Sequence, residues 1–572
     1  MTGLRWGAGL AMVICCFLYF RYIVPYHVCL KEQIQLFVYS SSYILSYFSK
    51  PAFLACLGGD FLTQFFYFKS GGAAVATLLL TLEWLLVFQV LKRFSVERYA
   101  LLWSLLPVLV EWIIFPQISF PVALSVSFIL ALSAFLVYAK TGGKIAIAVG
   151  LILIPILYVT AGMSVFLFLI LVILYNIHRM KSEKTAPHTS FLLLAIYFFI
   201  LTALSIALPF LLRHTYLVTL KEAYLFPYPD IKQGASLVAL VIIVVLFVCF
   251  KKLRGQNSGI LYFTVSLLLL VCLSVAGFLK MTSKDQENLY GLTIESYYEH
   301  WDKVLEIAEK AQLKNSIAAC YTNIALSNKS LLGERLMDFY QPFSLGLLPM
   351  IPHTGGWLVL FAGSDAFYHV GDIDMAQHAA MLGMIFSPNQ RNARMAERLV
   401  ETNMANGDIQ AAMKYRRMLE STLFHKKKAG QLESQPHQKV VKKDILRKST
   451  DIRISLELLT ENDTTNLRAV NYLLCYYLLT KDIPAFFDAY VSYFQGKYRP
   501  VPKVYAEALL IYLVAKKYSV EEVAQFRIPP EIIKAFSEYT RLYERSHGNI
   551  APLQEKFPNT YWLYYHFAIM NK

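Results

Sequence analysis

The sequence predicts an all-α chain in two parts: a polytopic transmembrane helix bundle of about nine spans, then a helical-repeat domain. Three observations lead there. The 572 residues are 56% hydrophobic and only 16% charged, with a mean hydropathy of +0.45, whereas soluble domains carry about 25% charged residues. That balance excludes an ordinary soluble protein and the disordered, collagen-like and disulfide-rich classes. The net charge of +15 is unevenly placed: residues 1–280 hold 20 Lys/Arg against 8 Asp/Glu, and residues 281–572 hold 34 against 31. Near Met281, finally, continuous apolar runs give way to mixed charge with helical periodicity. A basic excess inside the apolar half points to membrane insertion rather than to nucleic acid.

A span needs roughly 17–25 apolar residues. The candidates are residues 6–23, 73–91, 99–115, 121–139, 145–160, 163–177, 191–212, 235–250 and 260–279. The fifth and sixth are separated only by a tight turn at Ala161-Gly162. The first run has Arg5 ahead of it, as a signal peptide would. It is followed by Phe20-Arg21-Tyr22 rather than small residues, which predicts a retained anchor. Basic residues mark alternate loops: Lys92, Arg93 and Arg98; Lys140 and Lys144; Arg179, Lys181 and Lys184; Lys251, Lys252 and Arg254. The positive-inside rule places these in the cytoplasm, with the N-terminus inside and residues 281–572 outside. A bacterial inner membrane with a periplasmic C-terminal domain is the expected location.

Two outer loops are long, residues 24–72 and 213–234, and both are expected to lie as amphipathic segments at the interface. The first contains Lys31-Glu32-Gln33 and Gly58-Gly59-Asp60, the second Arg213-His214 and Lys221-Glu222. Glu32 suits the positive end of an interfacial helix, and Asp60 after two glycines suits a turn or cap. Arg213, His214 and Lys221 suit a lipid phosphate, or interfacial snorkelling. Two acids, Glu83 and Glu111, fall inside apolar runs. A charge at the bilayer centre costs at least about 2.5–3.5 kcal/mol, so each must face the bundle interior, carry a proton or reach the interface. They fit packing residues, or a proton relay or substrate contact.

In residues 281–572 an internal similarity stands out. Gly371-Asp372-Ile373-Asp374-Met375-Ala376 recurs as Gly407-Asp408-Ile409-Gln410-Ala411-Ala412. Weaker echoes begin at Lys481, Lys517 and Gly548. Gly permits the left-handed residue that ends one helix, and the following Asp or Ser caps the next. Small alanines at 376, 380, 411 and 412 let paired helices approach. The pattern resembles the tetratricopeptide repeat over residues 363–420 and 465–572. The basic stretch between them, His425 to Lys443, reads as a solvated loop, with binding of anionic lipid or glycan as the alternative. His353 reads as part of a loop between helices.

No phosphate-binding loop, dinucleotide fingerprint, HExxH or CxxC motif is present, so no metal ligand set is predicted. Cys29 and Cys56, both on the outer side, would allow a bridge. The layout of an inside N-terminus, a long first outer loop with acids and an outer helical domain resembles the GT-C membrane glycosyltransferases. That resemblance implies a polyprenyl-phosphate-linked sugar as donor and an acidic motif in the first outer loop, acting as general base or as ligand of a divalent metal. Lys31-Glu32-Gln33 is the best match, with Gln33 where a second carboxylate would stand and Asp60 the substitute for it. The stretches Glu32-Gln33-Ile34-Gln35-Leu36-Phe37 and Asp60-Phe61-Leu62-Thr63-Gln64-Phe65 also resemble an uncharacterised family of polytopic membrane proteins from Bacteroides-type bacteria. The competing reading is a non-enzymatic scaffold whose helical repeats bind a protein partner. A transporter would show helices related by an internal repeat, and no such symmetry is seen.

Overall fold

The computed structural model describes residues 2–95, 97–183, 188–250, 260–281, 283–351, 356–432, 451–496 and 501–568. His353, residues 433–443 of the basic stretch, and Lys184, Lys251, Lys252 and Arg254 lie outside them. Apolar runs can satisfy their backbone internally only as helices, and among the described residues every regular element is helical. The chain divides into two units: Met1–Lys284 with Ser421–Phe424, and Asp285–Glu420 with His425–Lys572.

In the first unit, helix Thr2–Leu18 runs through a π turn, Tyr19–Ile23, and then breaks. Pro25 opens the next helix, Pro25–Gln33. It has no N–H to continue the first helix, and it drives Val24 out of helical geometry (φ −130°). The two segments meet at 72°. Residues His27 to Gln33 are all buried, so this stretch is packed within its unit rather than lying along an interface.

Gly58 and Gly59 do not form a turn. They sit inside helix Phe53–Thr63. A Cβ on Gly59 would stand 2.3 Å from the backbone nitrogen of Ala123, so the missing side chain is what lets this helix touch helix Ala123–Tyr138. Asp60 is therefore a mid-helix residue and not a cap. The Ala161-Gly162 turn separates helix Gly143–Ala161 from helix Ser164–Glu183. Gly162 has φ +66°, and a Cβ there would meet the Phe226 carbonyl at 2.2 Å.

Among the described residues three helices are long and apolar enough to cross a membrane: Lys69–Leu91, Leu193–Leu212 and Lys232–Cys249. The bent pair at the N-terminus makes a fourth if it is one broken span. Tyr99–Ile114, Ala123–Tyr138, Ile145–Ala161 and Ser164–Met180 are apolar but shorter. At about 1.5 Å per residue these apolar stretches measure about 24–26 Å, against about 27 Å for Lys232–Cys249. Length and apolarity thus meet the expectation of about nine spans at three helices, or four. Cys29 and Cys56 form no disulfide, which corrects the bridge their positions allowed.

The second unit is a run of helix hairpins whose turns share one geometry. Helix Trp357–Val370 ends at Gly371 (φ +97°), where the Asp372 N–H reaches back to the Phe367 carbonyl at 2.9 Å. The Asp372 side chain then caps helix Ile373–Ile385 through the Met375 N–H. Gly407 (φ +79°) and Asp408 repeat this between Ala393–Ala405 and Ile409–Glu420. Lys481 (φ +61°) with Asp482, Lys517 (φ +57°) with Ser519, and Gly548 (φ +75°) with Asn549 do the same further on. In each turn a left-handed residue releases one helix and a short polar side chain starts the next. Ala376, Ala380 and Ala412 are buried in these hairpins. Part of the basic stretch is also helical, Lys426–Leu432.

Candidate functional site

Polar side chains buried in an apolar bundle are costly unless paired or used, so they locate the candidate site. The first set lies on helix Pro25–Gln33. Lys31, Glu32 and Gln33 are 4%, 5% and 2% exposed. The Lys31 amine donates to the carbonyls of Phe115 and Phe120, the latter at 2.8 Å. It lies over both rings, 4.7 and 5.5 Å from their centroids. Phe115 closes helix Leu105–Ile114, where unsatisfied carbonyls gather partial negative charge. An amine is a fitting group to bring there. Lys31, which sequence reasoning treated only as Glu32's neighbour, is thus anchored by two carbonyls and two rings.

Asp60 belongs to a tyrosine chain. Tyr43 and Tyr47 share a hydroxyl hydrogen bond of 2.6 Å, and the Tyr47 hydroxyl donates to Asp60 Oδ2 at 2.5 Å. In the other long loop Arg213 stacks on Phe210 at 4.3 Å and donates to His214 Nε2 at 3.2 Å. Lys221 is exposed on the short helix Leu220–Leu225, where Thr219 and Glu222 close a capping box. The Thr219 backbone and hydroxyl donors hold the Glu222 carboxyl below its usual range.

The structure brings two acids together. Glu83, on helix Lys69–Leu91, and Glu111, on helix Leu105–Ile114, are 0% and 1% exposed and interact with one another. Ser125, on helix Ala123–Tyr138, donates to Glu111 Oε1 at 2.6 Å. Ser236, on helix Ala235–Cys249, approaches the same carboxyl. Four helices therefore converge on this point. Sequence reasoning chose the acids because they interrupt apolar runs. It had no signal for the serines, which are ordinary in packed helices.

The second unit holds its own buried charge network, also unmarked in the sequence. Asp365 pairs with Arg394 and, at 3.0 Å, with Arg398, which reaches Glu401 at 2.7 Å. Arg398 lies over the Tyr368 ring at 3.9 Å. Glu397 accepts from Tyr297, His425 and Lys428 at 2.7, 3.0 and 2.7 Å. Burial pushes the Glu397 carboxyl up, but Lys428 and His425 outweigh it and hold it at about 2. Three carboxylates and three permanent cations balance here, the pattern of a network that holds helices in register. Among the described residues no group of three His, Cys, Asp or Glu side chains is placed to hold a metal ion.

Residues 3–568 match the profile of DUF6057, a family of unknown function. The chain belongs to this family. DUF6057 takes in both units, so the buried helix Pro25–Gln33, the Glu83–Glu111 pair and the capped hairpins all lie within one family unit of sequence. No curated protein and no solved structure matches the chain.

Proposed function

We propose that this DUF6057 chain is a membrane glycosyltransferase of GT-C type. It would cross a bacterial inner membrane about nine times, N-terminus in the cytoplasm and residues 281–572 in the periplasm, and take its sugar from a polyprenyl phosphate at the outer face. The observation that carries the reading is the burial of Lys31, Glu32 and Gln33 together on one short helix. Desolvating such groups costs several kcal/mol, and active centres are where that cost recurs. In this reading Glu32 is the general base that takes the proton of an acceptor hydroxyl as the sugar transfers. Asp60 is a second carboxylate on the same loop, and Arg213, His214 and Lys221 supply donors for the lipid phosphate. The nine spans count the shorter apolar helices as crossing segments where the bilayer is locally thinned.

The test is release of free sugar to water by the purified full chain, given a panel of polyprenyl-phosphate hexoses. The wild type is expected to release sugar from one of them, and Glu32→Gln to release it about a hundredfold more slowly. No release from any donor, or equal release by the variant, overturns the reading.

The capped hairpins of the second unit favour one alternative, a scaffold of tetratricopeptide-like repeats that binds a protein partner. Crosslinking of the full chain in native membranes should then recover one defined protein across replicates. Failure to do so counts against the scaffold.

A further inference from the structure

The first unit contains a second polar centre that the transferase reading does not use. Glu83 and Glu111 face each other from adjacent helices, wholly buried. Ser125 donates to Glu111, yet neither oxygen of Glu83 receives a hydrogen bond. Ser236, 1% exposed, approaches Glu111 with its hydroxyl unpartnered. The other titratable groups facing the pair are Cys16 from helix Thr2–Leu18 and Tyr228 from the segment before helix Ala235–Cys249, and neither is cationic. Two bare carboxylates side by side in a dry bundle repel strongly. A proton shared between them removes that repulsion and turns one carboxyl into a donor for the other.

A route to that proton is also present. Tyr228, 2% exposed, lies within electrostatic reach of both acids. Its hydroxyl is 3.3 Å from Ser164 Oγ, and Ser164 is 2.6 Å from Ser127 Oγ. Ser127 also donates to the Ala161 carbonyl at 2.6 Å, at the end of the bundle where the chain turns at Gly162. We propose that Glu83 and Glu111, with Ser125 and Ser236, form a binding site for an exchangeable proton, reached from the Ala161-Gly162 end through Ser127, Ser164 and Tyr228. At the Ala161-Gly162 end a water molecule gives its proton to Ser127, since the Ala161 carbonyl has none to give. Ser127 passes its own to Ser164, Ser164 to Tyr228 and Tyr228 to the acid pair, and a proton released by the pair returns by the reverse steps.

Infrared spectroscopy of the full chain in detergent, at about pH 8.5 so that Glu507, raised only to about 7, has lost its proton, tests this. The wild type should show the C=O stretch of a protonated, desolvated carboxyl, and this band should shift on transfer to D2O. Glu83→Gln and Glu111→Gln are near-isosteric with the acid form, and both should elute and show helicity as the wild type does. At least one of them should abolish the band. Tyr228→Phe should keep the band and slow its shift. Absence of the band in the wild type overturns the site, as does a band that survives both substitutions. A wild-type band that never shifts in D2O shows a static structural proton and overturns exchange. An unchanged shift rate in Tyr228→Phe overturns the route. Sugar release plays no part in these readouts, so failure here and failure of the transferase reading are separate results.

Discussion

Glu507 shows how a single buried carboxyl sets the pH response of the second unit. It is 1% exposed, and it accepts from the Tyr561 N–H at 2.6 Å. Burial raises it to about 7 despite that hydrogen bond and nearby Lys503. Its folded value exceeds the ordinary 4.5. Between about pH 4.5 and 7 the unfolded chain has released a proton that the folded unit still holds. Stability therefore falls as pH rises through that window and stays lower above it. Glu507→Gln should flatten this slope in thermal melts of the full chain between pH 5 and 8, and an unchanged slope would assign it elsewhere. Glu397 has the opposite sign. Held at about 2, it contributes stability above about pH 4.5 that is lost as pH falls toward 2. Glu397→Ala should cost about 1–3 kcal/mol in denaturant unfolding at pH 7, because it removes the acceptor from the buried His425 ring and the Tyr297 hydroxyl. Neither residue was visible in the sequence. An acid on an amphipathic helix looks solvated until the packing of distant helices buries it.

At the scale of elements, the left-handed turn and its cap are what the sequence showed best. Gly-Asp pairs at 371 and 407 carry the geometry in their residue types, because only a residue without a Cβ adopts that backbone freely. The later turns use Lys481 and Lys517 at positive φ, so their likeness survived only in the residues after them. Lys517→Gly should relieve the left-handed backbone and stabilise the unit by about 1 kcal/mol, and Gly407→Ala should destabilise it by about 1–2 kcal/mol, both read from chemical unfolding. A Gly407→Ala variant as stable as the wild type would mean that the turn is not strained there. The glycines at 58 and 59 misled for the opposite reason. Gly-Gly-Asp is turn chemistry locally, but here the missing side chain serves a helix contact with Ala123. The Glu83–Glu111 meeting was likewise illegible, since it depends on the relative register of helices Lys69–Leu91 and Leu105–Ile114.

For the whole molecule, the proposed topology rests on the basic residues of the apolar half. Alkaline phosphatase fused after Lys572 should be active, and fused after Lys140 it should be inactive; the reverse pattern would invert the proposed topology. The sequence carried that asymmetry because insertion reads charge directly, whereas it did not carry which buried groups find one another. For Lys31 the separation of partners along the chain has a cost in time. Its acceptor carbonyls lie 84 and 89 residues further along the chain. At a synthesis rate of about 5–20 residues per second, the amine is made roughly 4–18 s before those carbonyls are. Helix Pro25–Gln33 has no finished place to dock when it leaves the ribosome. Its seating is a late event in biogenesis, timed by the arrival of Phe115 and Phe120.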